Sequence, residues 1–166
     1  VTAEVWREIQ NFEHYSISNL GNVRAEKSGR ILELNENQFG VVYVGMVRGG
    51  MQYHRSVPLL VANAFIPRKF EPYDTPINLN GDRWDNRVEN IVWRPRWFAI
   101  RYNQQFRNPY MFPILDPVKE IKTGEIYENS FEAAMKYGLL ESDLVLSILN
   151  HTVVWPTYQE FEIVLD

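Results

Sequence analysis

Residues Pro76–Trp93 read PINLNGDRWDNRVENIVW, and the parts of the chain on either side take their meaning from this stretch. Asn78-Leu79-Asn80-Gly81 is a turn signal, because asparagine and glycine accept backbone conformations that other residues resist. Upstream, SVPLLVANAFIP spaces Val57, Leu60, Val61, Ala64 and Phe65 as one helix face. Ser56 is available to cap it and Pro58 is tolerated in the first turn, so a helix is expected over about Val57 to Phe65. KFEPYDTP joins this helix to the quoted stretch as a proline-rich loop. Downstream, WRPRWFAIRYNQQF suits a helix after Pro95, with Trp93 and Trp97 expected in the core.

Further out, EVWREIQNFEHYSISNLGNVR alternates aromatic and β-branched residues with polar ones and then turns at Asn19-Leu20-Gly21-Asn22. ILEL and VVYVGMV continue the pattern, and together they predict an antiparallel meander. The linker FRNPYMFPILDP carries three prolines and marks a boundary, giving expected domains of residues 1–108 and 109–166. Beyond it a hairpin turns at Thr123-Gly124. SFEAAMKYGL follows as a helix capped by Ser130 and stopped by Gly138, SDLVLSIL as a second helix, and QEFEIVL as a strand. This β-α-α-β appendage has the outline of a helix-turn-helix. The expected fold class is α+β.

Composition narrows the chemistry. With 45% hydrophobic and 23% charged residues the chain falls in the globular range, and with no cysteine it forms neither disulfides nor thiolate metal sites. No long apolar run and no charged-then-apolar leader is present, so neither a membrane span nor a secretory signal is expected. The net charge of −4 conceals an asymmetry: residues 1–111 hold 14 Lys and Arg against 11 Asp and Glu, whereas residues 112–166 hold 3 against 10. An acidic C-terminal third is poorly suited to gripping phosphates.

Three patterns carry a family resemblance. VWREIQNFEHYSISNLGNVR resembles the NUMOD4 motif that precedes the nuclease module in many phage HNH homing endonucleases. VANAFIP followed by INLNGDRWDNRVENIVW resembles the HNH module. KTGEIYENSFEAAMKYGLL resembles the small C-terminal repeats of the same enzymes, the NUMOD1-like appendages that bind DNA in the family. The resemblance implies a ββα-metal core, in which a hairpin and a helix hold one divalent cation against the scissile phosphate. A histidine there acts as general base, contributing about a hundred-fold to ten-thousand-fold, while side-chain donors hold the metal that stabilises developing charge. It also implies a protein of the phage-infected host cytoplasm or of the phage particle.

Carried over residue by residue, the resemblance implies that the chemistry has been lost. Asn78 stands where the family has the histidine base, and an amide has no useful pKa for that role. Asn80 stands at the acidic position and Ile77 at a ligand position of some members. Asn90 matches the family's asparagine, either as a catalytic remnant or as a side chain holding hairpin to helix. The helix ligand falls near Ala99. The expectation is therefore a degenerate HNH protein with no metal and no cofactor, acting by binding nucleic acid or a protein partner. The enzyme alternative is a weak or unusual nickase, with Mg²⁺ or another divalent ion held by Asn80, Asp82 or Asp85 and His54 as substitute base. A third reading is a structural or assembly component of a phage complex.

Arg83, Arg87, Arg94, Arg96, Arg101 and Arg107 cluster within 25 residues, opposed there only by Asp85 and Glu89. Interleaved with tryptophan and tyrosine, they suit contact with DNA phosphates and bases, or pairing with the acidic third. The candidate recognition helix, from about Glu141 to Asn150, carries Glu141 and Asp143 and no Lys or Arg. Its stripe of Leu144, Val145, Ile148 and Leu149 better suits burial or protein docking.

Overall fold

The structure, a computed structural model, describes residues 2–166. The α+β chain folds as two compact units, the first ending at Arg96 and the second running from Trp97 to Asp166.

The first unit begins as the expected meander. Strands β1 (Trp6–Ile9), β2 (Phe12–Ser18), β3 (Val23–Ala25) and β4 (Arg30–Ile31) lie in that order as an antiparallel sheet. A second sheet follows, β5 (Asn35–Glu36), β6 (Val42–Arg48) and β7 (Met51–Ser56), also antiparallel. ILEL is not one strand: Ile31 ends β4 and β5 begins after Leu34, while Leu32 and Leu34 pack partly buried against the core. Burying those leucines defines this segment more strongly than ladder hydrogen bonds do. Helix α1 (Val57–Phe65) has the expected bounds, with the Ser56 hydroxyl accepting the Leu59 N–H. Its Val57, Val61 and Ala62 close the core formed by Phe12, Ile17, Val44 and Met46.

Strands β8 (Thr75–Asn78) and β9 (Ile91–Arg94) then form an antiparallel hairpin whose last pair is Asn78 opposite Ile91. Trp93 is buried and its indole N–H donates to the Ile66 carbonyl at 2.9 Å, tying the hairpin to the end of α1. The hairpin, followed along the chain by the helix that begins at Arg96, has the HNH-like ββα order.

The second unit contains α2 (Arg96–Gln105, of which Arg96 belongs to the first unit), β10 (Val118–Glu120), β11 (Ile126–Tyr127), α3 (Ser130–Tyr137), α4 (Glu141–Asn150) and β12 (Phe161–Ile163), with sheet order β11-β10-β12. The division therefore falls ahead of the boundary expected between residues 108 and 109. The side chains of α2 explain the shift. Phe98 meets Trp155 at 5.7 Å between centroids, Phe106 meets Phe131 at 5.4 Å, and the Gln105 amide donates to the Leu139 carbonyl at 3.2 Å. A proline-rich linker marks a break in secondary structure, whereas aromatic burial decides which unit owns a helix.

Smaller differences have similar causes. Asn129, not Ser130, caps α3 by accepting the Glu132 N–H, because the Ser130 hydroxyl instead donates to the Glu141 carboxylate at 2.7 Å. Burial pushes the Glu141 carboxyl above the usual carboxylate range. Gly138 ends α3 in the left-handed conformation, as its position suggested. Trp97 is 53% exposed, not core; it stacks on Trp155 at 5.4 Å. Leu144, Val145 and Ile148 are buried as expected, but Leu149 faces out.

Candidate active-site loop

The loop between β8 and β9 gathers the polar residues of the motif. Its neck is closed by the Leu79 N–H donating to the Asn90 carbonyl at 2.8 Å, and Gly81 adopts φ 76° as it turns the chain back onto Asn78. The first sheet braces it from outside. The Val88 N–H donates to the Asn19 carbonyl at 2.9 Å, and at Gly21 (φ 87°) an added Cβ would lie 3.0 Å from the Asn86 Cβ. The N-terminal turn and the loop are thus packed to a distance that only glycine allows.

Within the loop the amides answer one another. Asn78, 4% exposed, donates through Nδ2 to the Asp85 carbonyl and to Asn86 Oδ1, both at 2.8 Å. Asn86 passes its own amide N–H to the Arg83 carbonyl at 3.0 Å. Asn90 donates to Asn80 Oδ1 at 2.9 Å and to the Asp85 carbonyl at 2.8 Å, while its Oδ1 accepts the Asn80 backbone N–H at 3.2 Å. Asn80 completes the circuit by donating to Asp85 Oδ2 at 3.0 Å and accepting the Asp82 N–H at 3.0 Å.

Asp85 is the carboxylate of this circuit, and Arg87 grips it with two parallel bonds, Nε to Oδ1 at 2.7 Å and Nη2 to Oδ2 at 2.8 Å. That fork, helped by Asn80, holds the Asp85 carboxyl below its usual range and raises the Arg87 guanidinium further above its own. Asp82 accepts the Trp84 N–H through Oδ1 at 3.0 Å. Ile77 is buried and offers no lone pair, and Ala99 on α2 is a buried methyl.

The HNH-like fold implies a divalent cation, and the donor set of this loop does not suit one. The oxygens of Asp85 and Asn80 already accept hydrogen bonds from Arg87, Asn80, Asn90 and Asp82, and Asn78 turns its N–H donors inward, its Oδ1 accepting no bond among the described residues. Among the described residues, no three His, Cys, Asp or Glu side chains come together as a metal-binding group. His54 sits on β7, exposed, with its ring 4.8 Å from that of Tyr43.

The arginine cluster separates into different environments. Arg83 donates to the Phe39 carbonyl at 2.9 Å, Arg87 belongs to Asp85 and also reaches Glu89, and Arg94 is buried, donating to the Trp93 carbonyl at 2.8 Å. Arg96, Arg101 and Arg107 are exposed and enter no ion pair among the described residues. Sequence reasoning placed Asn78, Asn80 and Asn90 in the motif and the structure brings them together. It gave no role to Asn86, the acceptor for Asn78. The signal available was the recurrence of asparagine at positions 78, 80, 86 and 90, since amides are donors and acceptors at once and suit one another.

Comparisons with known proteins bear on the motif and the fold. The NUMOD4 motif family matches residues 4–47. Two proteins of Acanthamoeba polyphaga mimivirus, each named an uncharacterized HNH endonuclease, are 35% identical over 95 residues and 30% identical over 136 residues, covering 55% and 81% of this chain. The chain spans only 24% and 39% of their lengths. The solved structure of the HNH homing endonuclease I-HmuI, described for its DNA binding and cleavage, shares the fold with a TM-score of 0.55. It is 23% identical, with 98% of this chain and 99% of that one covered. The chain carries a NUMOD4 motif and is homologous to viral HNH endonucleases. No helix among the described residues is long and apolar enough to cross a membrane.

Proposed function

We propose that this protein is a catalytically degenerate relative of the HNH endonucleases that acts by binding, with nucleic acid as its partner. The observation that carries the reading is the state of Asn78. The residue at the general-base position is a buried amide whose two N–H groups donate to Asp85 and Asn86, so it neither takes a proton from water nor presents a lone pair toward solvent through that nitrogen. The loop keeps the shape of a catalytic hairpin because its amides hold it together, and shape does not require the chemistry to survive.

Exposed Arg96, Arg101 and Arg107 support phosphate contact, and they are the arginines to test within the longer cluster. Arg83, Arg87 and Arg94 are committed to carbonyls and carboxylates and serve the fold. A protein partner would instead meet helix α4, where Glu141 is buried and Leu146 and Leu149 face outward.

Incubation of purified protein with supercoiled plasmid and Mg²⁺ or Mn²⁺ tests the loss of cleavage. The expected outcome is no nicking by the wild type and none by Asn78→His, since the metal donors remain engaged. Nicking that co-purifies with the protein and disappears in Asn90→Ala or His54→Ala would establish the enzyme alternative instead.

A further inference from the structure

A second concentration of charge lies in the first unit, outside the 78–90 loop. Side chains alternate along β6 and β7, and the register sets Met46 opposite Tyr53, Val44 opposite Arg55 and Arg48 opposite Met51. Arg48 and Arg55 therefore share the face that carries the core residues Val44 and Met46, one on each side of Tyr53. Both lie over the same two rings. The Arg48 guanidinium carbon is 4.8 Å from the centroid of Phe12 and 4.6 Å from that of Tyr53, and that of Arg55 is 5.2 Å and 5.4 Å from the same centroids. Phe12 and Tyr53 meet edge to face at 5.9 Å.

Neither arginine has an anion among the described residues. Arg48 donates from Nη1 to the Asn11 carbonyl at 3.0 Å, Arg55 from Nη1 to the His54 carbonyl at 2.9 Å, and neither enters an ion pair there. Each keeps most of its five N–H donors unused. Aromatic faces attract a cation, but they do not neutralise two like charges held over one pair of rings. Both arginines line a cleft of about 410 Å³ whose wall also includes Asn11, Ser56 and Asn63. Glu8 is at the same wall and pairs with neither.

We infer that this cleft binds a phosphate group through Arg48 and Arg55 acting as a pair. A phosphate presents tetrahedrally arranged oxygens to two planar forks at once, which a flat carboxylate does not; a phosphomonoester also carries close to two charges, and a phosphodiester one charge shared over two non-bridging oxygens. Two sources present this chemistry: the phosphodiester of a nucleic-acid backbone and the phosphomonoester of a free nucleotide. The site stands independently of whether the 78–90 loop cuts, and it extends contact to a surface that the arginine cluster after Arg83 does not include.

The test follows the guanidinium Nε–H resonances of Arg48 and Arg55 by NMR while inorganic phosphate, adenosine monophosphate or a short DNA duplex is titrated into the wild-type protein. At least one probe is expected to shift both resonances saturably. The double variant R48Q/R55Q is expected to bind that probe at least about tenfold more weakly, R48K/R55K to lose less because charge remains, and Arg24→Gln, outside the cleft, to change nothing. A duplex response alone identifies the backbone as source, and the double glutamine variant, losing one phosphate contact, then lowers the slope of log affinity against log salt by about one. A response to the mononucleotide with none to duplex identifies a free phosphomonoester. Absence of shifts with all three probes, or unchanged affinity in a folded R48Q/R55Q, overturns the inference. Failure to fold in that variant leaves the wild-type resonances to decide. Plasmid nicking would remove the proposed loss of cleavage and leave this result untouched.

Discussion

The 78–90 loop and the cleft at Arg48 and Arg55 belong to one unit and differ in how their polar groups are balanced. In the loop, neutral amides supply both donors and acceptors, Arg87 meets the carboxylate of Asp85, and Arg83 meets the Phe39 carbonyl. In the cleft, two cations rest on aromatic rings with no carboxylate between them. Side chains that satisfy each other hold a backbone in shape, while side chains left uncompensated have capacity for something else. The loop that resembles an active site is thus the more structural of the two regions.

The largest effect that would break this contrast is expected from Asn90→Ala. It removes the bonds donated to Asn80 and to the Asp85 carbonyl and the one accepted from the Asn80 N–H, while the Asp85 carbonyl keeps Asn78 as a donor; at roughly 1 kcal/mol for each bond lost it should cost about 2–3 kcal/mol in urea unfolding. A change near zero would mean that the amide circuit is ornament and that Asn90 is free for chemistry. The cleft should respond in the opposite manner. R48Q/R55Q loses ring stacking and also relieves the repulsion between two like charges, so stability measured without ligand should move by less than about 1 kcal/mol. A larger loss would show that the arginines serve the fold as the loop amides do.

The smallest effect concerns Arg87→Gln. The guanidinium is half exposed, so its removal should lower stability at pH 7 only slightly. Its sign with pH is more informative than its size. Because Asp85 titrates below its ordinary value in the folded protein, the pair contributes fully above the unfolded carboxylate pKa and its contribution disappears as pH falls through the lower folded value. The wild type and Arg87→Gln should therefore differ at neutral pH and converge in acid, as followed by urea midpoints across that range. A gap that persists in acid would locate the arginine's contribution in packing.

Several elements are legible in the sequence because their signals are local. The α1 face and its Ser56 cap, the turn at Asn19 to Asn22, the stop at Gly138 and the hairpin at Thr123-Gly124 depend on residues near one another along the chain. The six-arginine cluster misleads for the complementary reason. Adjacency in sequence suggests one basic surface, yet Arg94 is buried and Arg83 and Arg87 are held by partners that spacing does not reveal. Ownership of α2 is hidden likewise, since Phe98 meets Trp155 across a span that no window covers.

By itself, the order of residues determined the α+β class, the strand-rich start, the helix positions and the recurrence of asparagine at positions 78, 80, 86 and 90, because covalent sequence fixes local propensity and the chemical identity of every side chain. Only tertiary structure decided that Asn78 turns its donors inward, that Asp85 is taken by Arg87, and that Arg48 and Arg55 meet over Phe12 and Tyr53. Those outcomes depend on which groups folding brings within hydrogen-bonding or van der Waals reach, and a hydrogen bond or an unanswered charge exists only between atoms already placed.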